Sequence, residues 1–299
     1  MTILLPASWL SRLQRYLRMA SRLLGASLRA WIEHRASSKG AALAFYTVFS
    51  IMPILVPVIG MVGGFLGVEA AQRAMIATIA DVLSTAGAQT IQSLLQDVHR
   101  SASGWSTTLL AGALLVFAAT SVFVELKASL DELWGVQRPT HSAWFMVVRT
   151  QLISCGLILL VATLLLLSLL ISTALGVITQ GSASIQTLHL MPIASASAIL
   201  STVASVCLFA LIYKLLTEAP LAWADAWVGA LFTALLFGAG KSGIALYLAH
   251  SSISTGFGAA GSVIVLLLWV YYSAQIFFFG AEFTRQYALT VGSLRDWRP

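Results

Sequence analysis

Long stretches without a single formal charge constrain this chain more than any other feature of its sequence. No Asp, Glu, Lys or Arg occurs in residues 40–68, 101–124, 150–213 or 242–281. Each block can hold at least one run of about 20 apolar residues, the length that a helix needs to cross the hydrocarbon core of a bilayer. The pattern therefore predicts an all-α, polytopic membrane protein.

The overall composition agrees with that prediction. Of the 299 residues, 59% are hydrophobic and only 9% are charged, whereas soluble domains carry about 25% charged residues. This excludes a soluble dinucleotide-binding enzyme, a nucleic-acid-binding module and a disulfide-stapled fold. The two cysteines, Cys155 and Cys207, lie in apolar stretches and indicate nothing about the redox compartment.

Six transmembrane spans are predicted. The block 150–213 is too long for one helix, and the turn-forming residues 179–184 divide it into two. The predicted spans are residues 40–66, 105–124, 150–178, 191–213, 221–249 and 259–282. The predicted regions are a basic cytoplasmic segment 1–39, a six-helix transmembrane domain 40–284 that includes the outer loop 67–104, and a short cytoplasmic tail 285–299.

The positions of the basic residues predict the orientation of the spans. Seven of the 17 Lys and Arg residues precede the first span, with Glu33 as the one acidic residue there. Seven more fall in the loops and tail on the same side, whereas the outer loops hold only Arg73 and Arg100. Cytoplasmic loops are enriched in Lys and Arg, so both termini are expected in the cytoplasm. No cleaved signal peptide is expected, because no small-residue cleavage site follows a short apolar stretch.

The basic N-terminal segment predicts an interfacial amphipathic helix. On a helical wheel one side carries Arg15, Arg18, Arg22 and Arg29. The opposite side carries Leu10, Leu13, Leu17, Ala20, Leu24, Leu28 and Trp31. Such a helix lies on the inner leaflet with its arginines toward anionic lipid headgroups. A nucleic-acid partner is not expected, because aromatic residues that could stack on bases are not interleaved with the arginines.

The outer loop 67–104 carries apolar residues at helical spacing on both sides of Gly87. This predicts a pair of short amphipathic helices on the outer face. A structural cap and a ligand-gating lid are the two interpretations.

The first span carries two stripes of different character. The stripe that is expected to face protein comprises Tyr46, Ser50, Pro53, Pro57, Gly60 and Gly64, and the opposite, aliphatic stripe is expected to face lipid. Pro53 and Pro57 lack a backbone donor and should kink the helix. The kink either contributes to a transport site, as broken helices often do, or only improves packing.

Small residues predict close helix packing in the fifth span. They recur at every fourth position: Ala226, Ala230, Ala234, Gly238 and Ser242. Gly60 and Gly64 form a GxxxG pattern in the first span, which indicates packing within one chain more often than dimerisation. A homo-oligomer stays open as an alternative.

One side of the sixth span is expected to face the bundle. It carries Gly261, Leu268, Tyr272, Gln275, Phe279 and Glu282. Gln275 lies near the middle of the membrane, where a side-chain amide facing lipid would be costly. The candidate substrate path therefore comprises Lys241, Gln275, Tyr272, Tyr46, Ser50 and Glu282.

Two members of this path are ionisable. Lys241, in the outer half of the fifth span, either presents positive charge to an anionic solute in an outward-facing cavity or binds backbone carbonyls and lipid headgroups. Its small neighbours, Gly238 and Ser242, should turn it toward the bundle. Glu282, near the inner interface beside Arg285, is either a structural residue or part of a solute or proton path. Their different depths argue against a direct salt bridge between Lys241 and Glu282.

Three parts of the chain carry family signatures. They are KGAALAFYTVFSIMPIL at 39–55, LKASLDELWGV at 126–136, and a C-terminal set of GALFTALLFGAGK at 229–241, FGAAGS at 257–262 and LLLWVYYSAQIFFFGAEF at 266–283. Together they resemble the BrkB/YihY family of bacterial inner-membrane proteins, although Asp131 and Phe257 stand where Asn and Tyr are expected. The resemblance implies a six-helix protein of the cytoplasmic membrane, in a family labelled as transporters or virulence factors and formerly as ribonuclease BN.

The residues argue against a ribonuclease. Metal-dependent RNA hydrolysis needs clustered His and Asp side chains. The five histidines are spread over separate segments without metal-ligand spacing: His34, His99, His141, His189 and His250. No catalytic triad or phosphate-binding glycine loop is evident, so no enzymatic activity, cofactor or metal is expected. The sequence favours a transporter of a small, anionic or amphiphilic solute over the alternative, a non-transporting envelope-organising or virulence-associated factor.

Overall fold

The computed structural model describes residues 7–67, 69–70, 72–73, 76, 92, 121–122, 124–136, 190–250 and 259–295. Within this part of the chain every regular element is helical, which confirms the predicted all-α class there. The continuous helices are α1 (Ala7–Glu33), α2 (Ala36–Leu66), α3 (residues 124–134), α4 (Leu190–Leu216), α5 (Trp223–His250) and α6 (Ala259–Thr290).

Two helical stretches among the described residues are long and apolar enough to cross a membrane. They are Trp223–Ile244 in α5 and Val263–Thr290 in α6, and Thr202–Leu216 in α4 is a shorter apolar helix. The predicted spans 105–124 and 150–178 and the outer loop 67–104 lie outside the described residues, apart from a few positions. The count of six spans therefore stays a prediction.

The sixth helix ends later than the predicted span. The span was expected to end at residue 282, but α6 continues to Thr290. The N–H groups of Val291 and Gly292 both donate to the Tyr287 carbonyl, at 2.9 and 3.0 Å, and this closes the last turn. Hydropathy indicates how far a helix can lie in lipid, whereas backbone hydrogen bonding determines where the helix ends.

Two tight turns set the directions of the helices at this end of the molecule. Only two residues separate α1 from α2, and Arg35 adopts a φ of 51° there. Left-handed backbone is uncommon and strained for a residue with a side chain. α3 ends in a Schellman motif, with Gly135 at a φ of 67° and the Val136 N–H donating to the Asp131 carbonyl at 3.0 Å.

The helices share one core. α6 packs against α5, α2 and α1, and α4 packs against α5. The largest side chains that are fully buried in this core are Trp134, Tyr213, Phe278, Leu130, Leu133 and Leu221. They come from α3, from the junction of α4 and α5, and from the second half of α6. The start of α2 adds Ala36 and Leu43 to the same cluster.

Glycine and threonine pack reciprocally where α5 crosses α6. A Cβ atom on Gly229 would collide with Thr284, and a Cβ atom on Gly280 would collide with Thr233. The two threonine hydroxyls donate to carbonyls of their own helices, at 2.7 Å each, so no buried hydroxyl is left without an acceptor. The Tyr213 hydroxyl of α4 joins this crossing by donating to the Phe277 carbonyl at 2.9 Å.

Candidate functional site

The most polar buried place in the described part of the chain lies where α1, α2 and α6 meet. Glu282 of α6 is fully buried, and its Oε1 lies 2.5 Å from Nδ1 of His34. Arg285, one turn further along α6, has its Nη1 4.0 Å from Oε2 of Glu282. The sequence prediction identified Arg285 as a neighbour of Glu282 but did not identify His34.

The fold of α1 brings His34 to this place. Leu23, Ser27 and Ala30 form a buried stripe along α1, and His34 follows at the spacing that keeps it on the same helical face. The sequence prediction recognised only an apolar and a basic face of α1, and this third face is the one that packs within the protein. In the described part of the predicted apolar face, Ala20, Leu24 and Leu28 are exposed and Trp31 is partly buried.

Gln275 lies on α6 seven residues before Glu282, on the side that α2 approaches. Its amide Nε2 donates to the Ser37 carbonyl at 3.3 Å. Gly40 leaves room for the amide, because a Cβ atom at that position would collide with it. The glutamine therefore faces protein, as the sequence analysis predicted.

Several buried polar atoms of this region have unused hydrogen-bonding capacity among the described residues. They are Trp31 Nε1, Gln275 Oε1, Glu282 Oε2 and Arg285 Nε. Two are donors and two are acceptors. Buried polar atoms are nearly always hydrogen-bonded in proteins, so this region can accept a polar guest or exchange partners.

An ion-pair cluster joins α3 to the segment between α4 and α5. The Lys127 ammonium lies 2.7 Å from Asp131 and 2.8 Å from Glu218. Burial alone would lower the pKa of Lys127, but the hydrogen bonds and charges of the two carboxylates outweigh it and raise the pKa. Burial raises the pKa of Asp131, because one lysine shared with Glu218 does not offset the loss of water. Asp131 departs from the family pattern, and both of its carboxylate oxygens accept hydrogen bonds, from Lys127 and from the Glu218 N–H.

Two further contacts tie the chain together at this end. Lys39 of α2 pairs with Glu132 of α3 at 2.6 Å. The buried Asp225 carboxylate accepts from both the backbone N–H and the hydroxyl of Ser293, at 2.7 Å each. Gly292 is required beside it, because a Cβ atom there would collide with the carboxylate.

The predicted path residues lie in different surroundings. Tyr46 is 38% exposed, whereas Ser50 is buried and donates to the Tyr46 carbonyl at 2.6 Å. Tyr272 packs against Gly240 of α5. Lys241 is exposed, and it is not the partner of Glu282.

The predicted packing residues divide into two groups. Ala226, Ala230 and Ala234 are buried, whereas Gly238 and Ser242, further along α5, are exposed. Gly64 has open space around it. α2 runs without interruption through positions 53, 57 and 60, and the side chains there lie outside the described residues. The kink and the GxxxG contact stay predictions.

Sequence reasoning missed the contacts that depend on helix register. His34 and Glu282 are 248 positions apart, and no spacing rule links them. Gly229 stands beside Ala230 of the predicted packing face, and Gly280 was not identified as a packing residue. The one available signal was the polarity of His34, Ser37 and Lys39 just before an apolar span.

The arrangement is suited to holding a proton or a polar group. Among the described residues, no group of three or more His, Cys, Asp or Glu side chains could hold a metal ion. The chemistry available at this place is hydrogen bonding and proton exchange between an imidazole and a carboxyl group.

Comparisons with known proteins identify relatives over most of the chain. The sequence model of the virulence factor BrkB family matches residues 27–297. A UPF0761 membrane protein of Pseudomonas paraeruginosa is 25% identical over 273 residues, which cover 90% of this chain and 62% of that protein. A UPF0761 membrane protein of Vibrio vulnificus is 26% identical over 266 residues, which cover 89% of this chain and 80% of that protein.

The chain thus spans less than two thirds of the length of the Pseudomonas relative. The names of both relatives describe membrane proteins and state no enzymatic activity. No solved structure matches the chain.

Proposed function

The chain belongs to the virulence factor BrkB family of membrane proteins, and we propose that it transports a small, anionic or amphiphilic solute across the bacterial cytoplasmic membrane. The proposal includes six spans with both termini in the cytoplasm. The predicted inner ends of five spans lie close to residues of one core, from Ala36 in α2 to Leu294 after α6. That convergence supports a common side for these ends.

One observation carries the transport proposal. Gln275 Oε1 and Glu282 Oε2 are both buried and lack hydrogen-bond partners among the described residues. They lie seven residues apart, which is two turns along one face of α6. Polar and ionisable groups inside membrane spans are expensive and typically belong to solute or ion pathways. We propose that this face of α6 lines the inner part of the path.

Lys241 is proposed for the outer part of the path. Its exposure fits a side chain that reaches a water-filled outer cavity, and it equally fits one that reaches lipid headgroups. A lysine that binds the solute is needed for flux but not for folding. Lys241→Met should therefore abolish flux with the fold retained, whereas unchanged flux or a collapse of stability would indicate the structural role.

The proposed position of α1 is on the inner leaflet. Arg18, Arg22 and Arg29 are exposed, as are Leu24 and Leu28 on a neighbouring side of the helix. This combination suits anionic headgroups and the acyl boundary below them. No nucleic-acid partner is proposed, and a homo-oligomer stays open.

The exposed apolar side of α1 also favours a second candidate function. A membrane protein that organises other envelope components needs a surface for them, and Ile32, 63% exposed, extends this side toward the turn with α2. The family name, virulence factor, fits either function. A non-transporting factor would carry out its role without flux.

A reconstitution experiment distinguishes the two functions. The purified chain is placed in liposomes, and release of chloride, inorganic phosphate and a short-chain fluorescent fatty acid is compared with protein-free liposomes. The transport proposal expects protein-dependent flux of at least one probe. Gln275→Leu should reduce that flux, and Glu132→Gln, which changes an exposed carboxylate outside the path, should not. Absence of flux for all three probes would favour the non-transporting factor.

A further inference from the structure

His34 and Glu282 are close enough that a hydrogen atom must lie between them. Nδ1 and Oε1 lie 2.5 Å apart, in hydrogen-bonding contact. The hydrogen between them is carried either by Nδ1, on a neutral or a charged imidazole, or by a carboxylic acid on Glu282. The pair is neutral overall as imidazolium with carboxylate or as imidazole with carboxylic acid, and it is negative as neutral imidazole with carboxylate.

Few other charges act on this pair. Among the described residues, Glu282 interacts with His34 and Glu33 from α1 and with Arg285 on its own helix. Lys39, the nearby cation of α2, is engaged with Glu132. Arg285 lies 4.0 Å away and makes no direct hydrogen bond to Glu282. The proton shared with His34 is thus the closest compensation for a fully buried carboxylate.

The same pair is the only polar link recorded between α1 and α6 within the described residues. The buried hydroxyl of Ser27 donates to the Leu23 carbonyl within α1 and does not reach α6. Leu23 and Ala30 are buried on the same face of α1, and α1 also packs against α6. The turn at Arg35, with its φ of 51°, holds α1 in a strained backbone conformation that the docked position has to maintain.

We propose that His34 and Glu282 form a proton-binding site and that the proton which makes this pair neutral overall docks α1 onto α6. This inference does not depend on transport. It states that the charge of the buried pair His34–Glu282 controls whether α1 stays docked on α6.

The consequences of changing the proton count follow from charge balance. Adding a second proton at acid pH leaves imidazolium beside a neutral acid, with Arg285 as a second cation nearby. Removing the neutralising proton at alkaline pH leaves a buried carboxylate beside a neutral imidazole, whose Nδ1–H can still donate but which carries no compensating charge. Both changes weaken docking, so α1 should be held most firmly at an intermediate pH.

Thiol labelling at two positions of α1 tests this directly. In a full-length chain without Cys155 and Cys207, cysteine is placed at buried Ser27 or at exposed Ser21. The rate of reaction of each variant with N-ethylmaleimide is measured from about pH 4 to about pH 9. This range includes the ordinary pKa values of free Glu and His side chains. Dividing the Ser27→Cys rate by the Ser21→Cys rate removes the pH dependence of the thiol itself.

The expected ratio has a minimum at intermediate pH and rises about tenfold at the acid and alkaline ends, the size of the difference between a charge-assisted and a neutral hydrogen bond. Glu282→Gln should flatten the profile, and Glu132→Gln, the matched carboxylate outside the pair, should leave it unchanged. His34→Gln keeps the carboxylate and gives the same comparison if Glu282→Gln does not fold. A ratio that is independent of pH, or a profile that survives both substitutions in the pair, would overturn the proposal.

Discussion

Lys127 contributes more to stability than either of its acidic partners, Asp131 and Glu218. Its ammonium binds Asp131 and Glu218 at once, whereas the two carboxylates share that single cation. All three side chains are largely buried. Removing the lysine and removing one carboxylate are therefore unequal changes, although each deletes one charge.

Lys127→Met should destabilise the protein by about 2 kcal/mol, because it leaves two partly buried carboxylates side by side without a cation. Asp131→Asn should cost less, about 1 kcal/mol. The asparagine has one acceptor oxygen in place of two, so it can accept from either Lys127, which donates to Oδ2, or the Glu218 N–H, which lies 3.3 Å from Oδ1. Lys127 stays paired with Glu218. Thermal unfolding of both variants in one detergent checks the ranking, and equal losses would contradict it.

The pH dependence of Asp131→Asn follows from the direction of the pKa shift. The pKa of Asp131 is raised in the folded state above its ordinary value of 3.8. Protonated Asp131 therefore contributes its full stabilisation below pH 3.8, the ordinary pKa of the group. This contribution is lost as the pH rises through the pKa that Asp131 has in the folded state. The stability of Asp131→Asn relative to the parent should therefore rise as the pH increases above about 4. Lys127 stays protonated throughout, since its pKa is raised above 10.5.

At the scale of elements, the contact between α5 and α6 depends on Gly229 and Gly280. Other glycines in these helices, such as Gly238, are not close-packed. Gly280 faces Thr233 and the Tyr213 hydroxyl, and a Cβ atom there would collide with the threonine. Gly238, on α5, has no heavy atom within 4 Å of the Cβ position. The chain thus provides a close-packed glycine and an open one in adjacent helices.

Gly280→Ala should destabilise the protein by about 2 kcal/mol, because the added methyl group has to push α5 and α6 apart. Gly238→Ala should be neutral or stabilise by up to about 1 kcal/mol, since alanine has the higher helix propensity and meets no neighbour. The double variant Gly280→Ala/Thr233→Ala should recover part of the loss, because it removes the colliding side chain. Midpoints of thermal unfolding give all three values, and equal effects of the two single variants would contradict the packing argument.

The sequence predicted elements better than it predicted contacts. Apolar periodicity located α2, α4 and α5 to within a few residues, and the four-residue spacing located the buried Ala230 and Ala234. It could not identify Gly229 and Gly280, because their role depends on how α5 and α6 are aligned against each other. For the same reason Glu282 was identified as a candidate by its chemistry, but its partner His34 was not. Pairing across the chain needs a tertiary arrangement that no local pattern contains.

At the scale of the whole molecule, the shared core constrains the topology. α3, the α4–α5 junction, the start of α2 and the end of α6 bury side chains in one cluster. Segments that pack in one core at the ends of membrane helices must lie at the same side of the bilayer. An odd number of spans between any two of these ends would therefore be incompatible with the packing.

Cysteine labelling from outside intact cells tests this constraint. In a chain without Cys155 and Cys207, cysteines at Glu132, which is 66% exposed, and at exposed Arg295 should react with a membrane-impermeant maleimide only after the cells are permeabilised. A cysteine at Ser84, in the predicted outer loop, should react in intact cells. Labelling of both Glu132→Cys and Arg295→Cys from outside would invert the predicted orientation but keep the shared core. Labelling of only one of them would contradict the core itself, because the two positions would then lie on opposite sides of the membrane.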